Sequence, residues 1–158
     1  MQIYLAARYS RRLDLCRYRD ELRSMGHVVQ ATWLDGQHQV GDTGTPLGNA
    51  GEVLVEGEDS SGERAARLRE KFALDDFDDA STCDMLIAFT EPPRSAPNRG
   101  GRHVEMGIAL GMGIPVVVIG HRENIFCWLP QVKYFYDWRD TREWLKRIAE
   151  DQEESTCD

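Results

Sequence analysis

GGRHVEMGIALGMGIPVVVIG, residues 100–120, is the stretch whose reading decides the fold. It divides into a glycine turn, a short helix, a tight connection and an apolar run suited to a strand buried in a parallel sheet. One carboxylate, Glu105, stands in the first turn of the helix so read, just after the glycines. Backbone N–H groups point outward at a helix start and favour negative charge there. A glutamate at that point, beside a loop able to approach a ligand closely, reads as part of a site. The alternative is a carboxylate that only complements the helix dipole.

Working outward, strand and helix patterns alternate. Residues 2–7 (QIYLAA) form a short apolar run and read as the first strand. Ser10 is a candidate N-cap for a helix to about Met25, with Leu13, Leu15, Cys16, Tyr18, Leu22 and Met25 as its apolar face and Gly26 as its terminating glycine. Residues 27–34 (HVVQATWL) read as the second strand, 64–80 as a helix, 84–90 (DMLIAFT) as the third strand and 114–119 as the fourth. A short fifth strand at 133–136 and a last helix at 141–150 close the pattern. Such alternation implies a parallel sheet covered on both faces.

The 158 residues suit one domain, 1–150, followed by an acidic tail, 151–158. A net charge of −8 argues against a surface that coats nucleic acid, which needs clustered Lys and Arg. Cys16, Cys83, Cys127 and Cys157 show neither CxxC spacing nor histidine partners, so neither zinc nor any other cofactor is expected. They read as reduced thiols, and no leader-like or membrane-length apolar run stands in the sequence, so a cytoplasmic protein with no membrane partner is expected.

In open parallel sheets, ligands bind beyond the carboxyl ends of the strands, near the point where strand order reverses. Segments 7–12, 91–102 and 120–124 should therefore line the site. Residues 36–63, rich in Gly, Asp and Glu and without periodicity, read as a flexible flap over a substrate or as a tolerated insertion.

The pattern IYLA near the start, a strand ending near Trp33, LDDFDDASTCDMLIAF at 74–89, and the 100–120 block together resemble the nucleoside 2-deoxyribosyltransferase-like superfamily. Its relatives include the 2′-deoxynucleoside 5′-monophosphate N-hydrolases. The resemblance spans 2–34 and 74–138. It implies a flavodoxin-like, Rossmann-like three-layer sandwich with five parallel strands, acting at the N-glycosidic bond of a small nucleoside or nucleotide. It implies that Glu105 attacks the anomeric carbon, that Asp76 protonates or holds the departing base, and that the Tyr4 hydroxyl positions the glutamate. Asn124 matches an asparagine that reaches a neighbouring subunit's site, and a homodimer or larger homo-oligomer is implied. Tyr4 also fits a core aromatic, and Asn124 a plain turn residue. Asp75, Asp78 and Asp79 surround Asp76, which is distinguished by spacing alone.

The residue types suit the chemistry. A carboxylate near the anomeric carbon stabilises the charge that develops there and can form a glycosyl ester. Arg8, Ser10 and Arg11, with Arg12 beside them, follow the first strand of an otherwise acidic chain and suit a 5′-phosphate. Gly100, Gly101 and Arg102 offer a second anion-friendly turn, and Trp33 either stacks on a base or packs in the core. Ile125, Phe126, Trp128 and Leu129 form an apolar cluster suited to self-association. Two other readings stay open. One is a phosphoribohydrolase of the cytokinin-activating type, whose Gly-Thr element His103 and Val104 replace. The other is a non-enzymatic nucleotide-binding module.

Overall fold

The computed structural model describes residues 1–36, 63–92 and 100–155, with only the backbone at 64, 65 and 150–155. The expected flap, apart from its ends, lies outside the described residues, as do Arg99 and residues 156–158.

Five parallel strands form one sheet in the order β2-β1-β3-β4-β5. They are β1 (Gln2–Ala6), β2 (Val28–Val29), β3 (Met85–Phe89), β4 (Val116–Ile119) and β5 (Val132–Phe135). This is the flavodoxin-like order, with its reversal between β1 and β3. Every residue of β3 and β4 is buried, as expected of central strands covered on both sides. Tyr4 pairs with Leu86, and Leu86 with Val116, while Phe89 pairs with Ile119 and Ile119 with Phe135. Partners in register share a face, so Tyr4 and Phe89 point to opposite sides of the sheet.

Helices cover both sides. On the Phe89 side lie α1 (Arg12–Ser24) and α4 (Trp138–Ser155). Tyr18 of α1 stacks on Phe89 at 5.2 Å and on Trp138 at 4.6 Å between ring centroids. The Trp138 indole N–H donates to Glu21 at 2.9 Å. On the Tyr4 side, α2 (Glu63–Thr82) and α3 (Gly101–Gly111) pack against one another. No helix among the described residues is long and apolar enough to cross a membrane.

Three expectations about elements change. The second strand shrinks to Val28–Val29, and Thr32–Asp35 forms a 3-10 turn instead. There, Thr32 N donates to Asp79 (2.8 Å) and Leu34 O accepts from Arg12 Nε (2.7 Å), so side chains take backbone groups that a strand would offer to a ladder. Ser10 is not the N-cap of α1: it lies inside a 3-10 turn, Tyr9–Arg11, that precedes that helix, whose N-cap is Arg11. The last helix starts early because Asp137 caps it, accepting from Asp140 N at 3.0 Å. That helix continues to Ser155, into the segment read as a tail. Gly26 ends α1 as expected, at φ +84°.

The carboxyl ends of β3 and β4 are held close. Thr90 Oγ1 donates to Ile119 O (2.9 Å) and accepts from His121 N (2.7 Å). Gly120 follows at φ +108°, where a Cβ would meet Thr90 O at 3.0 Å.

Candidate active site

The site is built from the inner stripes of two helices. Gly100, left-handed at φ +74°, sets the start of α3, whose first residue is Gly101. Glu105 is therefore beyond the first turn, which contains no acidic residue, and the expectation that it sits at the helix start is corrected. Arg102, Met106 and Ala109 are the buried residues of α3, and Glu105 shares their stripe by the i, i+3, i+4 rule. It places a carboxylate where packing would ask for an apolar group.

The same periodicity separates the four aspartates of α2. Phe72, Asp79 and Ala80 are buried, and Asp76 lies on their stripe, half-buried. Asp75 turns away to pair with Lys71 one turn back, and Asp78 is exposed. Asp76 of α2, Glu105 of α3 and Tyr4 of β1 thus act on one another electrostatically. The structure brings these three together.

Burial and mutual repulsion set their protonation. Burial, then the charges of Asp79 and Asp75, push the Asp76 carboxyl up to about 7. Burial, then Asp76, push Glu105 up to about 8, against the pull of the Tyr4 hydroxyl and the Arg102 cation. The two carboxyls titrate as a coupled pair, Glu105 with the higher value. The Tyr4 phenol is raised well above its ordinary value by burial, then by Glu105 and Asp76, and stays neutral. Its hydroxyl nears the glutamate without closing a well-formed bond. Among the described residues, Tyr4 Oη and Glu105 Oε2 are both buried without a hydrogen-bond partner. Unmatched buried polar atoms are costly and mark a place where a ligand or water belongs.

The other expected residues are more scattered. Arg102 is buried, and its guanidinium grips Glu123 through both Nε (3.0 Å) and Nη2. It is not an open anion site, because its charge is already matched. Trp33 is buried and its indole N–H donates to Leu5 O at 2.8 Å, so it belongs to the core and offers no free face for a base. Arg11 lies over the Phe89 ring (5.4 Å) with Nη1 3.4 Å from Glu91. It lines a cavity of about 370 Å³ with Tyr18, Phe89, His121 and Trp138, which Tyr4, Asp76 and Glu105 do not line. Arg8 is half-buried and Ser10 exposed, both beyond β1. Among the described residues, a Cβ at Gly100 or Gly101 would meet nothing within 4 Å.

Asn124 caps the 3-10 turn Ile125–Trp128, accepting from Phe126 N at 2.9 Å. That leaves its Nδ2 to donate to His103 Nδ1 (3.2 Å), which places the histidine proton on Nε2, facing Glu123 at 3.3 Å. Glu123, which the sequence reading passed over, is the hub. It accepts from Glu91 N (2.9 Å) at the exit of β3 and from Arg102 at the head of α3. No spacing motif marks it, since its partners come from two segments distant from it in sequence.

No protein-family model matches the sequence, and no curated protein matches it. Among solved structures, the chain is similar to a 2-deoxyribosyltransferase from Bacillus psychrosaccharolyticus, with TM-score 0.57, 19% identity and 90% of each chain covered. It also aligns with a CMP N-glycosidase, BcmB, from Clostridium botulinum, with TM-score 0.48 and 18% identity over 92% of this chain and 98% of that one. The likeness to the deoxyribosyltransferase is a likeness of fold.

Proposed function

We propose that this protein is an enzyme that cleaves or transfers the N-glycosidic bond of 2′-deoxynucleosides or their 5′-monophosphates, with Glu105 as nucleophile. The observation that carries the reading is the convergence of the Asp76 and Glu105 carboxyls with the buried Tyr4 phenol, with Tyr4 Oη and Glu105 Oε2 unmatched among the described residues. A structural core has no use for that arrangement. The fold shared with a deoxyribosyltransferase supports the same chemistry.

The reaction starts from the form of the pair in which Glu105 is ionised and Asp76 holds the proton. In the first step, a Glu105 carboxylate oxygen bonds to the anomeric carbon while the C–N bond breaks, its electrons leaving with the base. Asp76 delivers its proton to that base. In the second step, water or another base attacks the same carbon, the ester bond breaks and Glu105 regains its charge. The Asp76 carboxylate takes the proton that the incoming nucleophile loses. Tyr4 remains protonated and orients Glu105. Arg8, Ser10 and Arg11 offer cationic and hydroxyl donors for a 5′-phosphate, a role Arg102 is not free to share. The homo-oligomer, with Asn124 reaching a partner's site, belongs to the same proposal.

Chromatography of the protein with deoxynucleosides and their monophosphates, each with and without an acceptor base, tests this. Free base released without acceptor supports a hydrolase, and new nucleosides formed only with acceptor support a transferase. Absence of turnover across the panel counts against the proposal and favours a binding module.

A further inference from the structure

We infer that Asp79, anchored through Thr32, is a positioning residue: it fixes a negative charge on α2 beside Asp76 and so reserves a proton there for the departing base. The inference rests on the reading of Asp76 as the acid and adds a residue to it. Asp79 is three positions along α2 from Asp76, on the same inner stripe, and is buried. Its Oδ2 accepts from Thr32 N at 2.8 Å and from Thr32 Oγ1 at 2.9 Å. Both contacts donate to one Asp79 oxygen, so Thr32 ties that carboxyl to a second element. The anchor lies on the 3-10 turn Thr32–Asp35, outside α2, so the carboxyl is held between two elements.

The titratable groups around Asp76 come from several elements. Asp75 and Asp79 share its helix, and Asp79 is the larger influence of the two after burial. Lys71 offsets Asp75 through a direct ion pair. Asp76 in turn acts on Glu105 of α3 and on the Tyr4 phenol of β1. Asp79 thus acts through Asp76 and is not itself placed against the reacting atoms.

The test is a carbon-13 NMR titration of the aspartate carboxyls in the ligand-free protein, with Asp76→Asn assigning the resonance. Asp79→Asn is the decisive variant, because its amide oxygen can keep both Thr32 contacts while the charge is lost. The Asp76 midpoint should fall from about 7 by roughly one pH unit or more. Asp79→Ala, which loses charge and anchor together, should lower it similarly. Thr32→Val, which keeps the charge, should move it much less. A midpoint in folded Asp79→Asn and Asp79→Ala within about 0.2 of the wild type would overturn the inference. Because the titration needs no substrate, a shifted midpoint without turnover would sink the proposed function and leave this coupling standing. Turnover without a shift would do the reverse. In active protein, the alkaline limb of kcat/KM should move to lower pH by the same amount.

Discussion

Glu105 is an acid held on the apolar stripe of a helix, and its cost should be measurable. Its ordinary value of 4.5 is raised to about 8 in the folded protein, chiefly by burial. A raised acid favours folding below the unfolded value, and that contribution disappears as pH climbs through the folded one. Glu105→Gln should therefore melt near the wild type at pH 5 but several degrees higher at pH 9, a gap of a few kcal/mol at roughly 1.4 kcal/mol per unit. A pH-independent gap, read by calorimetry, would count against a buried protonated Glu105. Asp76→Asn should lower kcat by about 10²–10⁴-fold with a smaller change in KM, as expected for loss of a proton donor. Steady-state kinetics with a substrate whose base leaves readily should show a weaker loss.

Elements carry the next layer. Glu123 ties the exit of β3 to the head of α3 through Glu91 N and Arg102, and the Arg102 and Glu123 side chains are both buried. Arg102→Ala leaves a buried carboxylate unmatched and should cost about 3–5 kcal/mol in urea unfolding. Arg102→Ala together with Glu123→Ala should recover part of that loss. Gly120→Ala should also destabilise, since φ +108° and the contact with Thr90 both oppose a side chain.

The sequence made the central elements plain, because β1, β3 and β4 are continuous apolar runs and α3 is bracketed by glycines. It hid the fate of 27–34, where Arg12 and Asp79, distant in sequence, draw the chain out of the sheet. It marked Glu105 and Asp76 as candidates through pattern, yet set Glu105 a turn too early, left Trp33 open between base and core, and offered Arg102 as part of an anion-friendly turn. The partners that occupy those two, Leu5 O and Glu123, are long-range contacts that no local window contains.

At the scale of the molecule, the carboxylate cluster lies on the Tyr4 side of the sheet, and the cavity beside Arg11 lies at the carboxyl ends of β3 and β4 on the Phe89 side. Beyond β4, Ile125, Phe126 and Trp128 are 78%, 57% and 65% exposed, the arrangement expected if copies associate. Sedimentation velocity should give a dimer or larger species, with Trp128→Asp shifting it toward monomer; a monomer at all concentrations would contradict that expectation.

The central claim is a covalent glycosyl ester on Glu105. The most direct measurement is rapid quenching of the protein with the deoxynucleosides and monophosphates, followed by peptide mass spectrometry. The account predicts a deoxyribosyl or phosphodeoxyribosyl adduct on the peptide bearing Glu105, absent in Glu105→Ala, with free base appearing in step. Base release that persists in Glu105→Ala, with no adduct on that peptide in the wild type, would contradict it.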